Sequence, residues 1–160
     1  MSHSWNESLE KMHTKILQLG MVLDIFLPVV IFFLAIYLRD RFVSIKSPMD
    51  LNMIFYVLLA LSAAEAITIF ILKTKSWRPY IKRKFQENPQ LTIEKGLFGF
   101  GTIIYGLCFS PTIYGLVYYI LGGTWEHFAL FVAMTFILFQ LFKPKMEELE
   151  KLNKEFNTSD

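Results

Sequence analysis

The chain has 160 residues, 54% of them hydrophobic and 16% aromatic, and a formal net charge of +2. With a mean hydropathy of +0.41 and four long apolar blocks, it is more apolar than an ordinary soluble domain. The aromatic share favours lipid-facing and packing roles over a polar pore, and the single cysteine, Cys108, excludes an intrachain disulfide.

Residues 1–15 are polar, but Trp5, Leu9, Met12 and Ile16 recur on one helical face. This spacing predicts an amphipathic helix at the membrane surface, running into the first span. The first span is expected over residues 16–38. It is too long for a signal-peptide core and lacks a small-residue cleavage site, so it is read as a permanent helix. It contains Asp24, with Pro28 one turn later. Proline removes a backbone donor and clashes with the carbonyl four residues back, which predicts a kink.

The second span, residues 51–72, follows Asp50 as its N-cap and carries one carboxylate, Glu65. Ser62 and Thr68 lie three residues to either side of it on the same face. A basic segment, residues 73–95, holds Lys73, Lys75, Arg78, Lys82, Arg83, Lys84 and Lys95 with interleaved aromatics. Beside a bilayer, anionic headgroups are a simpler partner for it than nucleic acid.

The third span is expected over 96–121. Gly101, Cys108, Gly115 and Gly122 repeat every seven residues and form a stripe that lets another helix approach closely. Cys108 itself reads as a small apolar filler. Ser110-Pro111 predicts a second kink, and Gly122-Gly123 a tight turn that makes spans three and four a close hairpin. The fourth span, residues 124–142, opens with Trp125, placed as an interfacial anchor. Glu126 and His127 read as surface groups. Residues 143–160 form a charged tail, with a helix expected over 146–156 because Met146, Leu149, Leu152 and Phe156 share a side.

The fold expected is therefore all-α: a polytopic membrane protein with four transmembrane helices in antiparallel hairpins and amphipathic terminal helices. Four spans put both termini and the basic loop on one side, with thirteen Lys and Arg there against three on the other. This bias predicts cytoplasmic termini, in a bacterial inner membrane. Asp24 and Glu65 then lie at depths of about 12 and 10 Å from the cytoplasmic ends of their spans. If the first two spans pack together, the two carboxylates face each other.

No Lys or Arg lies between residues 16–38 or 51–72 to neutralise them. Protonation is one resolution, because a low dielectric and a neighbouring carboxylate both oppose ionisation. A bound cation held by the carboxylates, Ser62, Thr68 and carbonyls loosened by Pro28 is another. A third is that a protonated Glu65 bonds a neighbouring helix and acts as polar glue. No phosphate loop, Cys/His metal spacing or nucleophilic set is present in the sequence, so no enzyme activity, cofactor or metal is expected. Tyr105, Tyr114, Tyr118 and Tyr119 could line a quinone or lipid pocket, a third and weaker reading, but aromatics in membrane helices are usually packing and interface residues.

The run Glu65-Ala66-Ile67-Thr68-Ile69-Phe70-Ile71-Leu72 resembles the outer helix of rotary ATPase proteolipid (c) subunits. Ile113-Tyr114-Gly115-Leu116 repeats part of that run, with Phe109 at the carboxylate position. The resemblance implies a duplicated four-span proteolipid in which Glu65 is the ion-binding carboxylate. The arrangement also resembles uncharacterised bacterial four-span proteins, a likeness that implies no activity. Two functions are thus expected side by side. One is a small accessory or structural protein, packing into a homo-oligomer or a larger membrane complex. The other is a proton- or cation-translocating protein centred on Glu65 and Asp24.

Overall fold

The structure is a computed structural model and describes residues 2–38, 50–76, 79, 83, 93–143 and 145. Its elements are α1 (Ser2–Met21), a π-helical turn (Val22–Phe26), α2 (Leu27–Tyr37), α3 (Leu51–Ile71), a second π-helical turn (Leu72–Ser76), α4 (Ile93–Ile120) and α5 (Trp125–Phe142). No strand occurs among the described residues. Four stretches are long and apolar enough to cross a membrane: Glu10–Tyr37, Leu51–Lys75, Phe98–Ile120 and Trp125–Phe142. They are the first to fourth spans below. The tail helix expected over 146–156, the connector residues 39–49, and Arg78, Lys82 and Lys84 lie outside the described residues.

The third and fourth spans form the centre. Their connection is built from glycine and a cap. Gly122 has a φ of 102°, which an L side chain rarely adopts. The N–H of Gly123 donates to the Tyr118 carbonyl at 3.0 Å, and the N–H of Gly122 to that of Tyr119 at 3.1 Å. These two bonds are the 6→1 and 5→2 pair of a Schellman ending. Thr124 then caps α5, its hydroxyl accepting from the His127 N–H at 3.4 Å. Along the interface the Thr112 and Thr135 hydroxyls bond each other at 2.9 Å, both fully buried.

The glycine stripe is consumed inside the chain. A Cβ on Gly115 would lie 2.7 Å from atoms of Phe128 and Phe131 on the fourth span, whereas one on Gly101 would meet Ile16 of the first span at 3.1 Å. Cys108 is buried among Ile69, Phe100, Ile104 and Leu138. A close approach that the sequence did not flag lies at Gly20, where an added Cβ would sit 2.5 Å from the Tyr105 ring and 2.7 Å from that of Phe139.

As expected, α1 runs unbroken from Ser2 into the first span, and Met12 and Ile16 are 6% and 2% exposed. One expectation about the first span is corrected: the first and second spans do not pair principally with each other. The first packs on α4 and α5, and the second packs chiefly on α4 and less on α5. The connection permits this: eleven residues separate Leu38 from Asp50, enough to reach about 35 Å when extended. The first span offers Gly20 to Tyr105 and Phe139, and Ala35 to Tyr119, Phe128 and Val132.

The break expected at Pro28 takes the form of the π turn. Pro28 has no N–H for an α-type bond to the Asp24 carbonyl, and just before it the Leu27 N–H donates five residues back, to Val22. Pro111, by contrast, sits inside an α-helix that continues through it.

Candidate functional site

Glu65 is half-buried on the side of α3 that faces α4. The hydroxyl of Tyr114 donates to its Oε1 in a short hydrogen bond. Its Oε2 is buried without a partner among the described residues. The hydroxyls expected beside it point elsewhere. Ser62 is buried, but its Oγ donates to the Leu58 carbonyl at 3.0 Å. Thr68 is exposed, and its Oγ1 donates to the Ala64 carbonyl at 2.9 Å. Both hydroxyls therefore serve their own helix.

Asp24 lies elsewhere in the bundle. It sits in the π turn of the first span with no exposed surface, and neither carboxylate oxygen has a hydrogen-bond partner among the described residues. It lies close enough to Tyr105 and Cys108 of α4 to interact with them electrostatically. The Tyr105 hydroxyl is itself buried and unpartnered.

The expected meeting of Asp24 and Glu65 is not made. Asp24 bonds nothing, and Glu65 bonds Tyr114. Their neighbours on α4, Tyr105 and Tyr114, are nine residues apart. At about 100° per residue, nine residues are half a revolution, so the two tyrosines leave α4 on opposite sides. The carboxylates belong to different grooves of the central pair.

The other predicted residues scatter. Lys73 lies in the second π turn, and its Nζ donates to the Lys143 carbonyl at 3.3 Å, joining the ends of spans two and four. Lys75 and Arg83 are exposed. Gly101, Cys108, Gly115 and Gly122 are packing and turn positions, as described above. His127 is no simple surface group. Its Nδ1 is 2.9 Å from the Tyr118 hydroxyl, and Phe55 stacks on its ring at 4.2 Å, so it ties three spans together near the 122–124 turn. Glu126 is exposed. No group of three or more His, Cys, Asp or Glu suited to a metal occurs among the described residues.

The interior polar residues that sequence reasoning missed are Tyr105, Tyr114, Thr112, Thr135 and Tyr119. The signal for three of them is a repeat beside the glycine stripe. Positions 105, 112 and 119 also recur every seven residues, and all three are 0–1% exposed. Compared with protein-family models, curated proteins and solved structures, the chain matches none.

Proposed function

We propose that this is a small integral membrane protein of accessory or structural kind, packing into a homo-oligomer or a larger membrane complex and carrying out no enzymatic reaction. The observation that supports this most is the bond from Tyr114 to Glu65. It uses the one carboxylate of the second span to fasten that span to the third, as intramembrane polar glue. The outward face of the second span gives further support. Within α3 only Ser62 and Ile69 are buried, while Ala60, Ala64 and Thr68 are exposed one turn apart, a small-residue row that a neighbouring helix can approach. In this reading the third and fourth spans form an antiparallel hairpin and the tail is an amphipathic helix. Both termini are cytoplasmic at a bacterial inner membrane, and the basic loop meets anionic headgroups.

A double-mutant cycle tests the glue. Tyr114→Phe and Glu65→Leu should each lower unfolding stability in detergent by about 0.6–1.7 kcal/mol, and the double variant by little more than either. Glu65→Gln should keep most of the stability, since its amide oxygen accepts the same bond. Additive losses would remove the reading. For assembly, Ala64→Leu should move the protein to a smaller species on gel filtration, and an unchanged elution would count against the oligomer.

A second reading, proton or cation handling, is favoured by one observation: the fully buried Asp24, whose two oxygens lack partners. The proteolipid resemblance implies that role for Glu65, and its two similar runs do meet at Tyr114 and Glu65. The unsatisfied group, however, is Asp24. Carbodiimide labelling of Asp24 that slows with added Na⁺ or raised pH would support this reading. Labelling indifferent to both would remove it.

A further inference from the structure

Asp24 belongs to a longer feature. On α4, Tyr105, Thr112 and Tyr119 stand seven residues apart, a rise of about 10.5 Å per step with only about 20° of drift. They form a row along the side of α4 that the first span and α5 cover. All three are 0–1% exposed. Among the described residues the Tyr105 and Tyr119 hydroxyls have no partner, and neither have the two oxygens of Asp24 at the Tyr105 end. Thr112 is paired with Thr135, which also approaches the Phe131 carbonyl at 3.4 Å; each hydroxyl has a lone pair to spare. An unpartnered buried polar group costs several kcal/mol. Four such atoms lie along one interface, and ordered water is the usual partner of buried polar groups that the chain itself leaves unsatisfied.

We propose that Asp24 is a proton-binding site reached from the side of the 122–124 turn through a hydrated row of Tyr119, Thr112–Thr135 and Tyr105. This rests on the second reading above and gives it a site and a route. A proton enters on water at Tyr119. At each step a hydroxyl or water accepts a proton on its free lone pair and gives up its own, so one O–H bond forms as another breaks and no charge is left behind. The last water protonates the Asp24 carboxylate. Among the described residues no cation is recorded acting on Asp24; Lys73 of the second π turn reaches Cys108 electrostatically. The ionisable groups that face it from α4 are Tyr105 and Cys108. Those of α5 are Glu126 and His127, in its first turn at the far end, and Glu65 lies in the other groove.

Infrared spectroscopy of the full chain in lipid vesicles tests both parts. The wild type should show a carboxylic-acid C=O band that Asp24→Asn removes and Glu65→Gln keeps. On transfer to D₂O that band should shift, and Tyr105→Phe, Thr112→Val and Tyr119→Phe should each slow the shift at least threefold. Gel filtration and helicity equal to wild type qualify each variant, and the three row variants test the route even if Asp24→Asn fails to fold. A wild type with no band assignable to Asp24 overturns the site, and the proton form of the second reading with it. A band whose exchange is unchanged in all three row variants overturns the route alone and leaves Asp24 as a proton site.

Discussion

Gly20→Ala is the sharpest test of how the first span is seated. The new Cβ would lie 2.5 Å from Cζ and 2.7 Å from Cε1 of Tyr105, and 2.7 Å from Cε2 of Phe139. Carbon atoms pack at about 3.5–4.0 Å, so each contact is short by about 1 Å. Neither ring has room to withdraw, because Tyr105 and Phe139 are 0% and 3% exposed. The helices must separate instead, which also opens the contact of Ile16 with the glycine stripe. Overpacking of this kind costs about 1–3 kcal/mol, or a fall of about 2–12 °C in Tm for a chain of this size. Gly106→Ala is the control. Nothing lies within 4 Å of its added Cβ, and helix propensity favours alanine by about 1 kcal/mol, so its stability should hold or rise. The assay is thermal unfolding of both variants in one detergent. Equal stability of Gly20→Ala and wild type would refute the packing of the first span on Tyr105 and Phe139.

Gly115→Leu meets Phe128 and Phe131 at 2.7 Å and should destabilise by at least as much as Gly20→Ala; monodisperse protein with unchanged Tm would show that the stripe is not a packing face. Thr112→Val breaks the buried hydroxyl pair at nearly constant volume and should cost about 0.6 kcal/mol, with no further loss on adding Thr135→Val in a thermal double-mutant cycle. Gly122→Ala forces an L side chain to a φ of 102° and should cost about 1–2 kcal/mol, read by the same melt. Cys108 is fully buried and should not react with a membrane-impermeant maleimide in whole cells, whereas Ser47→Cys should label from outside and Ser2→Cys only after permeabilisation; the reverse pattern would invert the topology.

What the sequence displayed well was everything that varies along the membrane normal. The four apolar stretches, the Asp50 cap that accepts from the Asn52 N–H, the Gly122 turn and the position of the break at Pro28 all follow from local composition. The form of that break did not. A proline predicts a lost hydrogen bond, but not that the Leu27 N–H before it reaches back five residues to Val22 in a π register.

The azimuth around each helix was not legible, because it depends on which neighbour wins, and sequence adjacency misnamed that neighbour. The first two spans follow one another in the chain, yet each is held by the central pair, for a reason that lies in side-chain size. α4 presents bulk on two sides, Tyr105 toward a glycine and Tyr114 toward a carboxylate. A span with Gly20 can close on the first, and a span with Glu65 can bond the second. Exchanging the two spans would set Glu65 against a fully buried ring face and leave the notch at Gly20 unfilled. The same half-turn between residues 105 and 114 therefore fixes the order of helices around the bundle and separates the two carboxylates. That separation leaves Glu65 with a hydrogen-bond donor and, among the described residues, Asp24 without one.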